Sequence, residues 1–302
     1  MAYPPHWGVS FTPTTHSKPA GPTLPTSNPL PTNFAVAITG AGKGLGYHIA
    51  LAYAAAGAAR ISISSRTQAD LDKLATEIAN LNPEIKVHAR TCDTTKDEDV
   101  KALAEDVMST FGRIDAVIAN AGIISAYITD SDGHRRLPVG IAADEDFDRV
   151  IAINVLGVAR TAKYFVPHLL GTLDGGKAFV FISSLAGMAS TSSVVPVAYT
   201  VSKVAGNKLV EVLAEDHRGE GLVAYAVHPG AVVTEQTKGH EGNGAVLVDD
   251  PGLCGGWLTW LTRERREWLS GRYVSVNWDV EELEGKRQEI VSGDKLKFRM
   301  MV

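Results

Sequence analysis

Cysteine is nearly absent: Cys92 and Cys254 are the only two in 302 residues. Two thiols build neither a disulfide framework nor a zinc quartet. This excludes a stapled secreted scaffold, gives no reason to expect a metal, and fits a reducing compartment, taken here as the cytoplasm. An excess of positive charge is missing too. The chain carries 29 basic and 34 acidic side chains, a net charge of −5, so no broad basic field invites nucleic acid or an anionic membrane. No run approaches the roughly 18 consecutive apolar residues of a membrane span. The first 33 residues hold no acidic residue and one fixed positive charge, Lys18. They have neither the basic start and apolar run of a signal peptide nor the arginines of a transit peptide.

What that segment does hold is proline. Eight of the 14 prolines fall there: Pro4, Pro5, Pro13, Pro19, Pro22, Pro25, Pro29 and Pro31. Proline at this density favours an extended backbone with few donors for a ladder. The reading adopted is a flexible tail over residues 1–33, followed by one domain over 34–302. Two alternatives stand beside it. The tail could lie over the body or a neighbouring subunit with Trp7 and Phe11 as anchors, or serve as a Pro-rich ligand.

From residue 34 the pattern changes. Short apolar or β-branched runs at 34–39, 60–65, 85–91, 114–119, 177–183, 221–227 and 273–276 alternate with helical stretches. The latter cover 45–57, 68–81, 96–111, 144–170 and 199–218. Nearly continuous apolar strands alternating with helices predict an α/β fold: a single-domain, Rossmann-type, doubly wound parallel sheet of about seven strands, with helices on both faces.

The first motif sits between the first strand and the first helix. There Thr39-Gly40-Ala-Gly-Lys43-Gly44-Leu45-Gly46 forms a glycine-rich turn. Such a turn lets backbone N–H groups and the positive end of a helix approach a pyrophosphate. Glycines also make ordinary turns, so it is the position after a strand and before a helix that points to a nucleotide. At the end of the second strand, where a dinucleotide fold that takes NAD usually shows an acid, stand Ser65, Arg66 and Thr67. A carboxylate there would bind free ribose hydroxyls and repel a 2′-phosphate. Its absence, with Arg66 and Lys43 close by, favours NADP(H) over NAD(H).

With these motifs in order, the sequence resembles the short-chain dehydrogenase/reductase family from about residue 34 to 276. Cys92-Asp93 resembles the adenine-contacting Asp, and Asn120-Ala121-Gly122 the triplet that steadies the central strand. Asn154, Ser184, Tyr199 and Lys203 stand where the family keeps its four catalytic groups. The segment with Pro229, Gly230, Val232 and Thr234 matches the one beside the nicotinamide. The resemblance implies that Tyr199 acts as acid/base, Ser184 polarises the substrate oxygen, and Asn154 supports a proton-relaying water toward Lys203. Lys203 would hold the nicotinamide ribose, and Thr234 the carboxamide or pyrophosphate. It also implies a small-molecule substrate and a homodimer or homotetramer. Residues 268–278 resemble the ends of fungal members.

The residues support the chemistry independently. Tyr199 and Lys203 are four apart, on one face of a helix. A phenol titrates near ~10, and a nearby ammonium is expected to lower that value. Asn154 could instead be a buried amide bonding a carbonyl of its own helix, and Ser183, beside Ser184, is expected to face backbone. Substrate contacts are expected from three loops. Residues 123–143 carry Tyr127, His134, Arg135 and Arg136; 185–198 are small and apolar, with Met188, Val194, Val195 and Pro196. Residues 234–256 (with Gly239, Gly242, Gly244, Gly255 and Gly256) read as a mobile lid. Trp257 and Trp260 are either core or an apolar wall, and His228 reads as structural. The expectation is ketone–alcohol interconversion by hydride transfer on a bulky, apolar, oxygenated metabolite. A non-redox isomerase or dehydratase, or a silent cofactor sensor, is the alternative.

Overall fold

The structure, a computed structural model, describes residues 4–27, 29–129, 132–133, 135–237 and 247–300. Seven strands pair in parallel: β1 Ala35–Thr39, β2 Arg60–Ser65, β3 Lys86–Thr91, β4 Ala116–Ala119, β7 Ala178–Ile182, β8 Val223–His228 and β9 Arg272–Ser275. Their order across the sheet is β3-β2-β1-β4-β7-β8-β9. Two-residue strands β5 Ile128–Thr129 and β6 Arg135–Arg136 form a separate antiparallel pair in the loop after β4. His134, Gly239, Gly242 and Gly244 lie outside the described residues.

β1, β4 and β7 are buried along their whole length because helices cover both faces. Side chains alternate between them. Val36 and Ile38 meet α1 Gly44–Ala55, α2 Gln68–Leu81 and α7 Gly252–Thr262. Ala35 and Ala37 face the other core, built with α3 Asp97–Phe111, α5 Val158–Gly171 and α6 Val197–Asp216. Strand order runs outward in opposite directions from β1 and β4. The crevice at their carboxyl ends is where such sheets take ligands.

The helix expected over 144–170 runs from Phe147 to Gly171. It comprises α4 Phe147–Ile151, a wider π turn Ala152–Gly157 and α5. By length and mean hydropathy this stretch could cross a membrane. In this fold half of it is buried, packed against α3 and α6.

The N-terminal segment runs along the body instead of trailing from it. Trp7, Thr12, Thr23 and Leu30 are buried, and the Phe11 ring centroid lies 5.1 Å from that of Trp278. Beyond β9 come α8 Val280–Gly285 and α9 Arg287–Ser292. The expected lid over 234–256 is corrected at its far end. Gly255 and Gly256 sit in α7, where a Cβ would lie 2.5 Å from Ala52 Cβ of α1 and 2.3 Å from Thr23 O of the N-terminal segment. They are glycines because α7 is squeezed from two sides. Trp257 and Trp260 are core residues of the same helix, 0% and 2% exposed.

α6 touches β7 through Gly206, where a Cβ would stand 2.3 Å from the Phe181 ring. A rigid ring in a packed interior cannot move that far cheaply. Gly206→Ala is therefore expected to lower unfolding free energy by about 1–3 kcal/mol, read by denaturant titration, with loss of turnover because α6 carries Tyr199 and Lys203.

Candidate active site

At the β1–β4 crevice lies a cavity of about 370 Å³. One end is walled by Gly40, Gly42, Lys43, Ser65 and Arg66, the middle by Asp93, Asn120 and Gly122, and the other end by Tyr199, Lys203 and Pro229; Gly44, Leu45 and Thr234 also line it, and a Cβ at Gly44 would lie 3.6 Å from the Thr234 side chain. Its floor is backbone. A Cβ at Gly42 would come within 2.7 Å of Ser65 Oγ, so a side chain there would close the end near β2. The N-terminus of α1 opens onto this floor, aiming unpaired N–H groups and the positive end of the helix dipole at any anion.

Thr39 and Asn120 hold the floor in place. The Thr39 hydroxyl accepts hydrogen bonds from Asn120 N and Ala121 N, both 3.1 Å. Asn120 Nδ2 donates to Thr39 O (2.9 Å) and Gly40 O (3.1 Å). The Thr39 oxygen is thus committed to β4, and neither Thr39 nor Gly46 lines the cavity. Gly46 sits behind it, where a Cβ would meet Asn120 Nδ2 at 2.5 Å. At the β2 end Arg66 is exposed, and Lys43 pairs with Asp70 at 3.3 Å. Asp93 accepts from Thr95 N (3.0 Å) and Oγ1 (2.8 Å). Partial burial pushes its carboxyl up, but the Thr95 bonds and nearby Arg66 outweigh this and hold it below the ordinary carboxylate range.

The other end is built by β7 and α6. Lys203 is 4% exposed. Its Nζ donates to Ile182 O at 2.8 Å and lies 5.1 Å from the Tyr199 ring centroid. Burial alone pushes its ammonium down to about 7. Tyr199 is half-buried. Burial raises its phenol above the ordinary value, against a hydrogen bond with Ser184 that lowers it. This reverses the expected downward shift. Burial weakens the hold of Lys203 on its proton, and the lost hydration of the phenol outweighs the pull of any neighbouring charge, so Tyr199 stays a protonated acid. The first turn of α6 is fastened by Asp144, whose Oδ2 accepts from Ala198 N at 2.8 Å.

Ser184 stands just outside the cavity wall, and its oxygen accepts from Ala186 N at 3.1 Å. Ser183 was expected to face backbone; instead its hydroxyl donates to the buried Asn207 side chain at 2.6 Å. The Asn207 amide oxygen takes that proton in place of a backbone carbonyl. Asn154 is fully buried in the π turn. Its Nδ2 donates to Ile123 O and its Oδ1 accepts from Ile123 N, both 2.8 Å. The amide thus bonds the segment after β4, not a carbonyl of its own helix as the structural alternative had it, because the wider turn swings it inward. A Cβ at Gly122 would lie 3.3 Å from Asn154 Oδ1 and 3.7 Å from Lys203 Nζ, so Asn154 and Lys203 both border Gly122.

The short chain dehydrogenase family matches residues 35–243. The chain belongs to the short chain dehydrogenase family. Its members are oxidoreductases of alcohol and ketone groups that use NAD(P)(H) and act on small molecules. The chain is 36% identical over 312 residues to the short chain dehydrogenase pgmD of Aspergillus terreus, covering 99% of this chain and 96% of that one. It is 32% identical over 306 residues to mpl6 of Monascus purpureus, covering 100% of both. Among solved structures, levodione reductase superposes with a TM-score of 0.69 at 20% identity, over 82% of this chain and 96% of that one. That solved fold extends the likeness to architecture.

Within this dehydrogenase fold several groups escaped the sequence. Gln236 Nε2 donates to Gly122 O at 2.6 Å across the cavity, and nothing in its spacing announces that. Gly230 and Val232 stand behind Pro229, outside the wall. His228 is structural: its Nδ1 accepts from Leu185 N at 3.2 Å, and burial pushes it down to about 4. In the loop 123–143, the Arg135 guanidinium lies 5.1 Å from the Tyr127 ring centroid.

Lys203 also sets a pH dependence. Its folded value of about 7 lies below the ordinary ~10.4 of an unfolded lysine. Between the two, the unfolded chain holds a proton the folded one lacks, so stability rises with pH across that window. Lys203→Met is expected to melt above the parent near pH 7 without cofactor, the gap closing toward pH 10. A gap independent of pH would refute the assignment.

Proposed function

We propose that this dehydrogenase interconverts a ketone and a secondary alcohol with NADP(H). The observation that carries the reading is the juxtaposition of Tyr199 and buried Lys203 at one end of the cavity, with Ser184 hydrogen-bonded to Tyr199 just outside its wall, and an acid-free β2 terminus beside Arg66 at the other. When bound, NADPH supplies the hydride. The chain's own groups do the rest. The Tyr199 phenol donates its proton to the substrate oxygen, and the Ser184 hydroxyl, its oxygen already engaged by Ala186 N, donates a hydrogen bond to the same atom. In the alcohol direction Tyr199 takes the proton back. Lys203 passes protons to and from the cavity, through a relaying water that Asn154 supports. Lys43 is free to turn from Asp70 to a phosphate, since an exposed pair contributes only about 0–1 kcal/mol.

The substrate reading stays with a bulky, apolar, oxygenated metabolite, supported by the apolar residues after Ser184. The extension to secondary metabolism rests on the resemblance of residues 268–278 to fungal members, and the relatives pgmD and mpl6 are both fungal short chain dehydrogenases. A cytoplasmic setting is supported by two buried, unpaired thiols. The homodimer or homotetramer is supported by exposed Leu156, Val201, Val204 and Val212 on the π turn and α6; light scattering tests it.

Fluorescence titration is expected to give tighter binding for NADPH than NADH. Arg66→Ala should weaken NADPH about 10-fold or more while leaving NADH unchanged, as loss of a charge-assisted bond requires. Equal parent affinities would overturn the cofactor preference. With a ketone and alcohol panel followed by absorbance of the reduced cofactor, Tyr199→Phe should lower kcat about 100- to 10,000-fold, and Ser184→Ala about 100-fold. Ser183→Ala should leave kcat within a few-fold. Full turnover by Tyr199→Phe would remove its acid/base role; substrate conversion without cofactor oxidation would point to isomerisation.

A further inference from the structure

We propose that the N-terminal segment is a working part of the cleft, bracing the 229–234 segment through Asn277 and Asp249. The inference rests on the assignment of 229–234 to the nicotinamide end of the site. The segment, Asp249 and Asn277 all lie outside residues 35–243, which match the family, so nothing in that match assigns them a task.

The chain of contacts is continuous. Residues 14–16 run antiparallel to the stretch just after β9, with Thr15 bridged to Trp278. His16 N donates to Asn277 O at 2.8 Å, and Asn277 Nδ2 donates back to His16 O at 3.0 Å. The same Nδ2 donates to Asp249 Oδ2 at 3.0 Å. That carboxylate oxygen accepts from Ala231 N at 2.6 Å, and Asp249 N donates to Ala231 O at 3.1 Å. A second strut runs alongside, Asp250 N donating to Ser17 O at 2.7 Å. Gly230 has φ +84° and a Cβ there would stand 2.8 Å from Asp249 Oδ2, so the carboxylate rests on the turn itself.

The far end reaches the other half of the site. The Pro5–Trp7 turn lies against Leu185–Met188, the turn that Ser184 caps. One segment thus touches the loops after β7 and β8, which carry Ser184 and the 229–234 segment. Hydrophobic anchoring by Trp7 and Phe11 would hold it to the body by itself. Bonds that end on the backbone of Ala231 serve position, because a left-handed glycine gives that turn little stiffness of its own.

The test uses the full chain carrying Asn277→Ala, Asp249→Ala or Asp249→Asn. Deuterium uptake over 229–234, measured without cofactor, should rise about tenfold in Asn277→Ala and Asp249→Ala. The NADPH dissociation constant should rise about 5- to 10-fold in both. Asp249→Asn keeps an acceptor for Ala231 N and should stay within about twofold of the parent. Folded alanine variants with parental uptake and affinity would overturn the brace, leaving the segment a stabiliser only. If Asn277→Ala does not fold, the two Asp249 variants decide. A parent that binds no NADPH would overturn the cofactor reading, while the uptake arm still judges the brace.

Discussion

The site depends on one close approach, that of α6 to β7 at Gly206. With no side chain there, the helix backbone settles against the Phe181 ring, and one turn earlier Lys203 reaches the Ile182 carbonyl. That contact takes the amine out of water, and the lost hydration moves both Lys203 and Tyr199 away from their ordinary values. Packing distance therefore becomes proton affinity. Asp144 at the first turn of α6, and the Asn154–Ser202 bond of 3.1 Å one residue before Lys203, keep the helix from turning about its axis. A buried amine with a shifted proton affinity beside a phenol is the kind of pair that active sites gather.

Electrostatics at the opposite end follow a different rule. The chain is acidic overall, yet the β2 end of the cavity gathers Lys43, Arg66 and the start of α1. Each cation has an acidic neighbour, Asp70 for Lys43 and Asp93 for Arg66. In water such neighbours hold their cations loosely, so a phosphate carrying more charge and more acceptors can outcompete them. A net charge thus says little about a local anion site built from a helix end and two side chains.

Much of this was legible from spacing. Alternating apolar runs and helical stretches placed seven parallel strands, and the glycine turn, Ser184, Tyr199 and Lys203 all fell at strand ends or on one helix face. What stayed hidden depends on partners far apart in sequence. Asn207 decides where Ser183 points, and Ile123 decides where Asn154 points. The π turn that swings Asn154 inward has no signature in local propensity. Gly255 and Gly256 read as part of a mobile lid because glycine permits motion and close packing alike; only the neighbours Ala52 and Thr23 tell them apart.

The proline-rich segment shows the same ambiguity at larger scale. Proline lacks an N–H, so a stretch dense in it has fewer donors than acceptors. By composition alone that reads as a chain unable to join a ladder. The body resolves it by supplying donors. Trp278 Nε1 donates to Gly8 O at 2.9 Å, Asn277 Nδ2 to His16 O, and Asp250 N to Ser17 O. Where the segment does donate, the residues are not proline: Thr14 N reaches Glu282 at 2.9 Å, and His16 N reaches Asn277 O. Most of these partners follow β9, the edge strand of the sheet, whose continuation would otherwise show unpaired backbone to solvent. An acceptor-rich chain and an open sheet edge meet each other's need, and that match turns a composition suggestive of disorder into an ordered covering of the molecule.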